Sequence, residues 1–62
     1  MKLHPDRLAE LKEQGCTDIG PNIDLCYDED NSVYYLMFYP SQDTFGEFTS
    51  ISQALKYYET RL

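Results

Sequence analysis

The chain has 62 residues, of which 42% are hydrophobic and 15% aromatic, and its formal net charge is −6. It is too short for more than one domain (residues 1–62) and too apolar for a disordered acidic tail. The acidic excess argues against direct nucleic-acid binding, which needs Lys and Arg at the phosphates. No segment approaches the ~20 apolar residues of a membrane span, and no apolar secretory region precedes the first charges, so we predict a cytoplasmic protein.

The first predicted element is a short helix over residues 5–14. Pro5 suits the first helical position, and Gly15 is a typical residue just beyond a helix C-terminus. The apolar stripe of this helix is thin, because Leu8 and Leu11 are its main members.

Residues 16–22 are predicted to form a loop, because Gly20-Pro21-Asn22 is a strong turn signal. The two cysteines are Cys16, within this segment, and Cys26. Their spacing matches neither the Cys-x-x-Cys redox motif nor a zinc knuckle. We expect free thiols, with a single structural disulfide as the alternative.

A β-hairpin is predicted over residues 23–39, because residues 23–28 alternate apolar and polar and residues 33–39 are mainly β-branched or aromatic. A two-residue turn at Asp30-Asn31 and a four-residue loop give the same register. The expected pairs are Asp28–Val33, Tyr27–Tyr34, Cys26–Tyr35, Leu25–Leu36, Asp24–Met37 and Ile23–Phe38.

A third short strand is predicted over residues 45–49, and a second helix follows it. Ser50 and Gln53 have the spacing of a capping box. One helix face then carries Ile51, Ala54, Leu55, Tyr58 and Leu62. The predicted fold is an α+β domain in the order α-β-β-β-α, with a three-stranded antiparallel sheet and flanking helices.

The predicted register divides the hairpin into two faces. The core face carries Ile23, Leu25, Tyr27, Tyr34, Leu36 and Phe38. The opposite face is also rich in apolar and aromatic residues, which is unusual for a face in water and typical of an interface. Its predicted partner-binding residues are Asp24, Asp28, Val33, Tyr35, Met37 and Tyr39. The alternative is that the first helix covers this face with Leu8 and Leu11.

Charge is unevenly distributed along the sequence. All five basic residues lie in or beside the predicted helices, and none occurs between Glu13 and Leu55, where acidic residues are frequent. Such a field attracts a basic partner and raises its association rate. The simpler interpretation is that acidic loops keep a small domain soluble.

Groups that would support catalysis or metal binding are sparse. The single histidine, His4, lies at a helix start, where capping or exposure explains it. Asp24 and Asp28 are about 13 Å apart along a strand, too far for a carboxylate dyad. Asp28-x-Asp30-x-Ser32 resembles the opening of a calcium loop but lacks its Gly and final Glu, so a hairpin turn explains it better. We predict no catalytic, cofactor or metal site and no enzyme.

The runs Ile23–Asp30, Tyr34–Pro40 and Ser50–Leu55, with Gly46 between them, resemble the HicB-type antitoxin domain over residues 23–58. The chain departs from that pattern by its first helix and a shorter loop after Pro40. The resemblance implies an acidic domain that neutralises a basic toxin. The leading hypothesis is a non-enzymatic module, such as an inhibitor or antitoxin-like regulator, that docks a basic protein. The alternative is a homodimer that uses the same face.

Overall fold

The computed structural model describes residues 2–62, so Met1 of the predicted domain lies outside the described residues. The elements are α1 (Pro5–Gln14), β1 (Cys16–Gly20), β2 (Ile23–Asp28), β3 (Val33–Phe38), β4 (Asp43–Phe48) and α2 (Ile51–Arg61). The strands form one antiparallel sheet in the order β1-β2-β3-β4. The α+β class with an antiparallel sheet is confirmed. The predicted three-stranded sheet is wrong, because the sheet has four strands and the element order is α-β-β-β-β-α.

The additional strand, β1, lies where a loop was predicted. The turn signal itself was correct: Pro21 and Asn22 (φ 59°) form a two-residue connection, and the flanking Gly20 and Ile23 are paired. The turn therefore joins two strands and does not belong to a long loop. A β-bulge at Ile19 interrupts the pairing of β1 with β2, and this interruption hides the alternating pattern in a strand of only five residues.

Both helices have the ends that the sequence predicts. Gly15 adopts the left-handed conformation (φ 82°) after α1, and its N–H donates to the carbonyl of Leu11. Before α2, the Ser50 hydroxyl accepts a hydrogen bond from the Gln53 N–H (3.2 Å). The Gln53 side chain accepts in return from the Thr49 N–H (3.0 Å), one residue earlier than in a standard capping box.

The β2–β3 register is confirmed at all six predicted pairs, and a four-residue loop, 29–32, connects the strands. The next strand begins at Asp43, two residues before the predicted start, and ends at Phe48. Its pairing with β3 is irregular between Tyr34 and Leu36, opposite Gly46 (φ 97°). This bulge changes which β4 side chains lie on each face.

The core lies between the sheet and both helices, on one face of the sheet. Leu25 and Leu36 are fully buried, and they cluster with Leu11 of α1 and Leu55 of α2. Both helices therefore pack on the face that carries Leu25 and Leu36, which we call the helical face. The alternative in which the first helix covers the opposite face is wrong. Leu62, assigned to the apolar stripe of α2, is 61% exposed and lies outside the core.

Candidate protein-binding face

Neither helix packs on the second face of the sheet, which we call the open face. Strand register places residues from all four strands on it. They are Cys16 and Asp18 of β1; Asp24, Cys26 and Asp28 of β2; Val33, Tyr35 and Met37 of β3; and Thr44 and Glu47 of β4. Tyr39 follows β3 and hydrogen-bonds to Asp24 on this face.

An apolar stripe runs along β3 on the open face. Val33, Tyr35 and Met37 occupy alternate positions, and all three are only partly buried. Because β3 lies between β2 and β4, this stripe is near the middle of the sheet. All six residues predicted from the sequence to bind a partner lie on the open face, so the structure brings the predicted set together.

The two cysteines meet on this face, and the expectation of free thiols is wrong. Cys16 and Cys26 occupy paired positions of β1 and β2 and form a disulfide. Cys26 is fully buried and also pairs with Tyr35 of β3. The disulfide therefore links β1 to the strand beside the apolar stripe. Free thiols are typical of cytoplasmic proteins, so the disulfide adds no support to the predicted cytoplasmic location.

Asp24 fixes the aromatic ring at one end of the stripe. The Tyr39 hydroxyl donates a hydrogen bond to the Asp24 carboxylate (2.9 Å), and the Tyr39 N–H donates to the Asn22 carbonyl (2.8 Å). The hydrogen bond to Asp24 raises the pKa of Tyr39 above its usual value, because the neutral phenol is the donor. Tyr39 is 37% exposed, so its ring is held in place and still accessible.

Asp28 stabilises the hairpin loop. One carboxylate oxygen accepts from the backbone N–H of Asp30 (3.0 Å), and the other accepts from the Asn31 side-chain amide (2.7 Å). These hydrogen bonds lower the pKa of Asp28, and the bond from the Asn31 side chain has the largest effect. The turn interpretation of these acidic residues is confirmed. The binding role predicted for Asp28 stays a prediction, and its carboxylate already has partners within the loop.

Sequence reasoning missed Glu47, which the bulge places near Tyr35. A Cβ at Gly46 would collide with the Phe48 ring, and the positive φ favours glycine there. A glycine inside a strand pattern is a known signal of a bulge, so this displacement could have been suspected. Beside this bulge the open face has a shallow cleft of about 460 Å³. Its lining residues are Tyr27, Asp28, Glu29, Val33, Tyr35, Thr44, Gly46 and Glu47.

Charged residues are distributed unevenly between the sheet and the helices. Residues 15–50, which form the sheet and its loops, contain seven acidic residues and no basic one. The helices and the segment before α1 contain all five basic residues and four acidic ones. The open face therefore carries carboxylates from β1, β2 and β4, and no Lys or Arg of the sheet lies there to balance them.

A second cleft, also of about 460 Å³, lies on the helical face beside α1 and α2. Its apolar lining comprises Leu8, Leu11, Tyr27, Tyr34 and Ile51. Lys12, Glu13 and Glu29 lie at its border, so both signs of charge are present. This cleft lacks the single-sign electrostatic character of the open face.

Residues 2–62 contain neither a cluster of metal-ligating side chains nor a membrane-spanning helix. No group of three or more His, Cys, Asp or Glu side chains in this range has an arrangement that could hold a metal ion. No helix in the same range is long and apolar enough to cross a lipid bilayer.

No family model matches the chain, and no curated protein or solved structure matches it either. The resemblance to the HicB-type antitoxin domain therefore stays a prediction that these comparisons do not test.

Proposed function

We propose that the chain is a non-enzymatic protein-binding module that docks a basic protein on its open face. The observation that carries this proposal is an apolar, aromatic stripe in the middle of a sheet face that neither helix covers. Tyr and Met are favoured at the centres of interfaces, and carboxylates around them select a partner of opposite charge.

Charge favours a basic partner over a second copy of the chain. A face-to-face homodimer would bring the open-face carboxylates Asp18, Asp24, Asp28 and Glu47 close to their own copies. Like charges held together in an interface oppose association, and no basic residue of residues 15–50 could compensate them. Self-association remains the alternative outcome of the test.

An inhibitor or antitoxin-like role would use this face to neutralise a basic protein. The resemblance to the HicB-type domain points in that direction, as does the charge separation of the molecule. In such a role, the carboxylates speed the encounter and the apolar stripe supplies most of the affinity.

The test compares one tyrosine on each face. We expect the immobilised parent chain to capture a basic protein from a lysate of the source cells at low salt, and to capture less at high salt. Tyr35→Ala, on the open face, should weaken binding of the purified partner about 30-fold in calorimetry. Tyr34→Ala is the matched control, because Tyr34 is half-buried like Tyr35, lies next to it on β3 and packs on the helical face.

Thermal melting must show that each variant is folded, and Met37→Thr provides a second open-face variant with good strand propensity. Equal binding by the parent and both open-face variants would place the partner elsewhere on the molecule and overturn the proposal. A dimer that persists in sedimentation at high salt, and that Tyr35→Ala dissociates, would support the homodimer instead.

A further inference from the structure

We infer that the segment docked on the open face is an amphipathic α-helix of the partner, with an apolar stripe flanked on both sides by Lys or Arg. This inference rests on the proposed function and specifies its partner. It follows from the dimensions of the face, the positions of its carboxylates and the hydrogen-bonding needs of a docked backbone.

The stripe has the dimensions of a short helix contact. Val33 and Met37 are four residues apart on β3, which corresponds to about 13 Å along the strand. A helix of about nine residues has the same length, or two and a half turns. A helix that lies along β3 can therefore place apolar side chains on Val33, Tyr35 and Met37 together.

The carboxylates are placed to meet both flanks of such a helix. Asp24 and Asp28 lie on β2, and Glu47 lies on β4, on either side of the stripe. Two strands on either side of a third are about 10 Å apart, which is close to the diameter of a helix with its side chains. Cations on opposite flanks of the helix can then reach acids on both sides of the stripe.

Backbone hydrogen bonding favours a helix over an extended segment. The N–H and C=O groups of a sheet point along its plane to neighbouring strands and not out of its face. An extended chain on the face would leave its own peptide groups unpaired in the interface, whereas a helix satisfies them internally. The chain covers its helical face in the same way, with α1 and α2.

The cleft at the β4 bulge accepts one long side chain from this helix. It lies between Tyr35 and Glu47, and Gly46 contributes no side chain to fill it. A guanidinium at this position can stack on the Tyr35 ring and pair with the Glu47 carboxylate. An Arg on the flank that faces β4 is therefore the preferred residue at this point.

The experiment titrates the ¹⁵N-labelled chain with synthetic peptides and follows its amide resonances. The first peptide is a helix with a Leu stripe flanked by Lys and Arg. The second has the same composition in a permuted order that destroys the stripe. We expect the first peptide to bind at least about tenfold more tightly, to shift the amides of Tyr35 and Met37, and to gain helical circular dichroism on binding.

Two variants show which face of the sheet the peptide contacts. Tyr35→Ala should reduce affinity for the striped peptide about 30-fold, whereas Tyr34→Ala, on the helical face, should leave it within twofold. Equal binding of both peptides to the open face would overturn the inference that the docked segment is a helix. The proposal that the partner is basic would still stand. Shifts confined to the cleft on the helical face, or no shifts with either peptide, would also overturn the helix. The capture experiment with the native partner decides the proposed function separately.

Discussion

Both faces of this sheet carry apolar and aromatic side chains, but the helices cover only one of them. On β3, Leu36 points to the helical face and is fully buried, while its neighbours Tyr35 and Met37 point to the open face and stay partly exposed. Both helices contribute to the same core, through Leu11 and Leu55. Apolar character alone therefore does not distinguish the buried face of this sheet from the uncovered one. The difference is that the open face carries carboxylates from three strands, whereas the sheet residues on the helical face are mainly apolar or aromatic around Leu25 and Leu36.

The largest difference between the faces should be in stability. Leu55→Ala removes a side chain that is 3% exposed, and we expect it to lower the free energy of unfolding by about 2–5 kcal/mol. Tyr35→Ala removes a larger but only partly buried side chain and should leave the fold largely intact. Urea denaturation of both variants makes the comparison. If Leu55→Ala unfolds at the same urea concentration as the parent, α2 does not contribute to the core as described.

The disulfide should be the main stabilising element on the open face. It links Cys16 to Cys26 across ten positions of sequence, so it restricts the unfolded chain. Loop-closure entropy for this length gives about 2–3 kcal/mol, and we expect that loss when both cysteines are changed to serine. Denaturation of the parent with and without reductant, alongside the double variant, measures it. Identical transitions in all three samples, with two free thiols titrated in the parent, would exclude the bond in solution.

Most of the fold follows from local sequence signals. Both ends of α1, the start of α2 and the β2–β3 register agree with prediction because capping residues and side-chain alternation are local properties of the chain. β1 was missed because its bulge at Ile19 interrupts the alternation, and because Gly20-Pro21-Asn22 signals a turn without showing what the turn connects. A strand of five residues with an interrupted alternation carries little sequence signal of its own.

The candidate site could be predicted as far as the alternation of side chains along β2 and β3 determines which residues share a face. Once the β2–β3 register is known, Asp24, Tyr35 and Met37 must share a face. Two features depend on three-dimensional packing, and the sequence contains a signal only for the second of them, the glycine inside a strand pattern. One is that α1 packs on the helical face, and the other is that the Gly46 bulge places Glu47 beside the stripe.

A smaller effect should distinguish a carboxylate on the open face from one on the helical face by its influence on the association rate. Glu47 is exposed and has no hydrogen bond or ion pair among the described residues, so Glu47→Gln removes charge without disturbing a contact. We expect it to slow association with the striped basic peptide about two- to threefold at low salt, and to flatten the salt dependence. Glu13→Gln is the matched control, because Glu13 is an exposed residue of α1 on the helical face.

Association rates from stopped-flow fluorescence at two salt concentrations measure this difference. If both variants slow association equally, net charge alone guides the encounter, and the position of the carboxylates on the open face has no special role.

The smallest effect concerns Asp28, whose carboxylate belongs to the open face and also to the hairpin loop. Hydrogen bonds to its carboxylate, of which the one from the Asn31 side chain has the largest effect, hold the pKa of Asp28 below the usual 3.8. Because the folded-state pKa is the lower one, this contribution to stability is present above the unfolded-state pKa. It is lost as the pH falls through the folded-state pKa. Asn31→Ala should therefore raise the pKa of Asp28 towards 3.8 and reduce the acid sensitivity that this residue contributes. A carboxyl NMR titration of both proteins measures the change.

The Asn31→Ala variant keeps the charge of Asp28, so peptide affinity should remain unchanged if Asp28 acts through charge alone. A loss of affinity in Asn31→Ala would show that the loop geometry, and not only the Asp28 charge, shapes the open face.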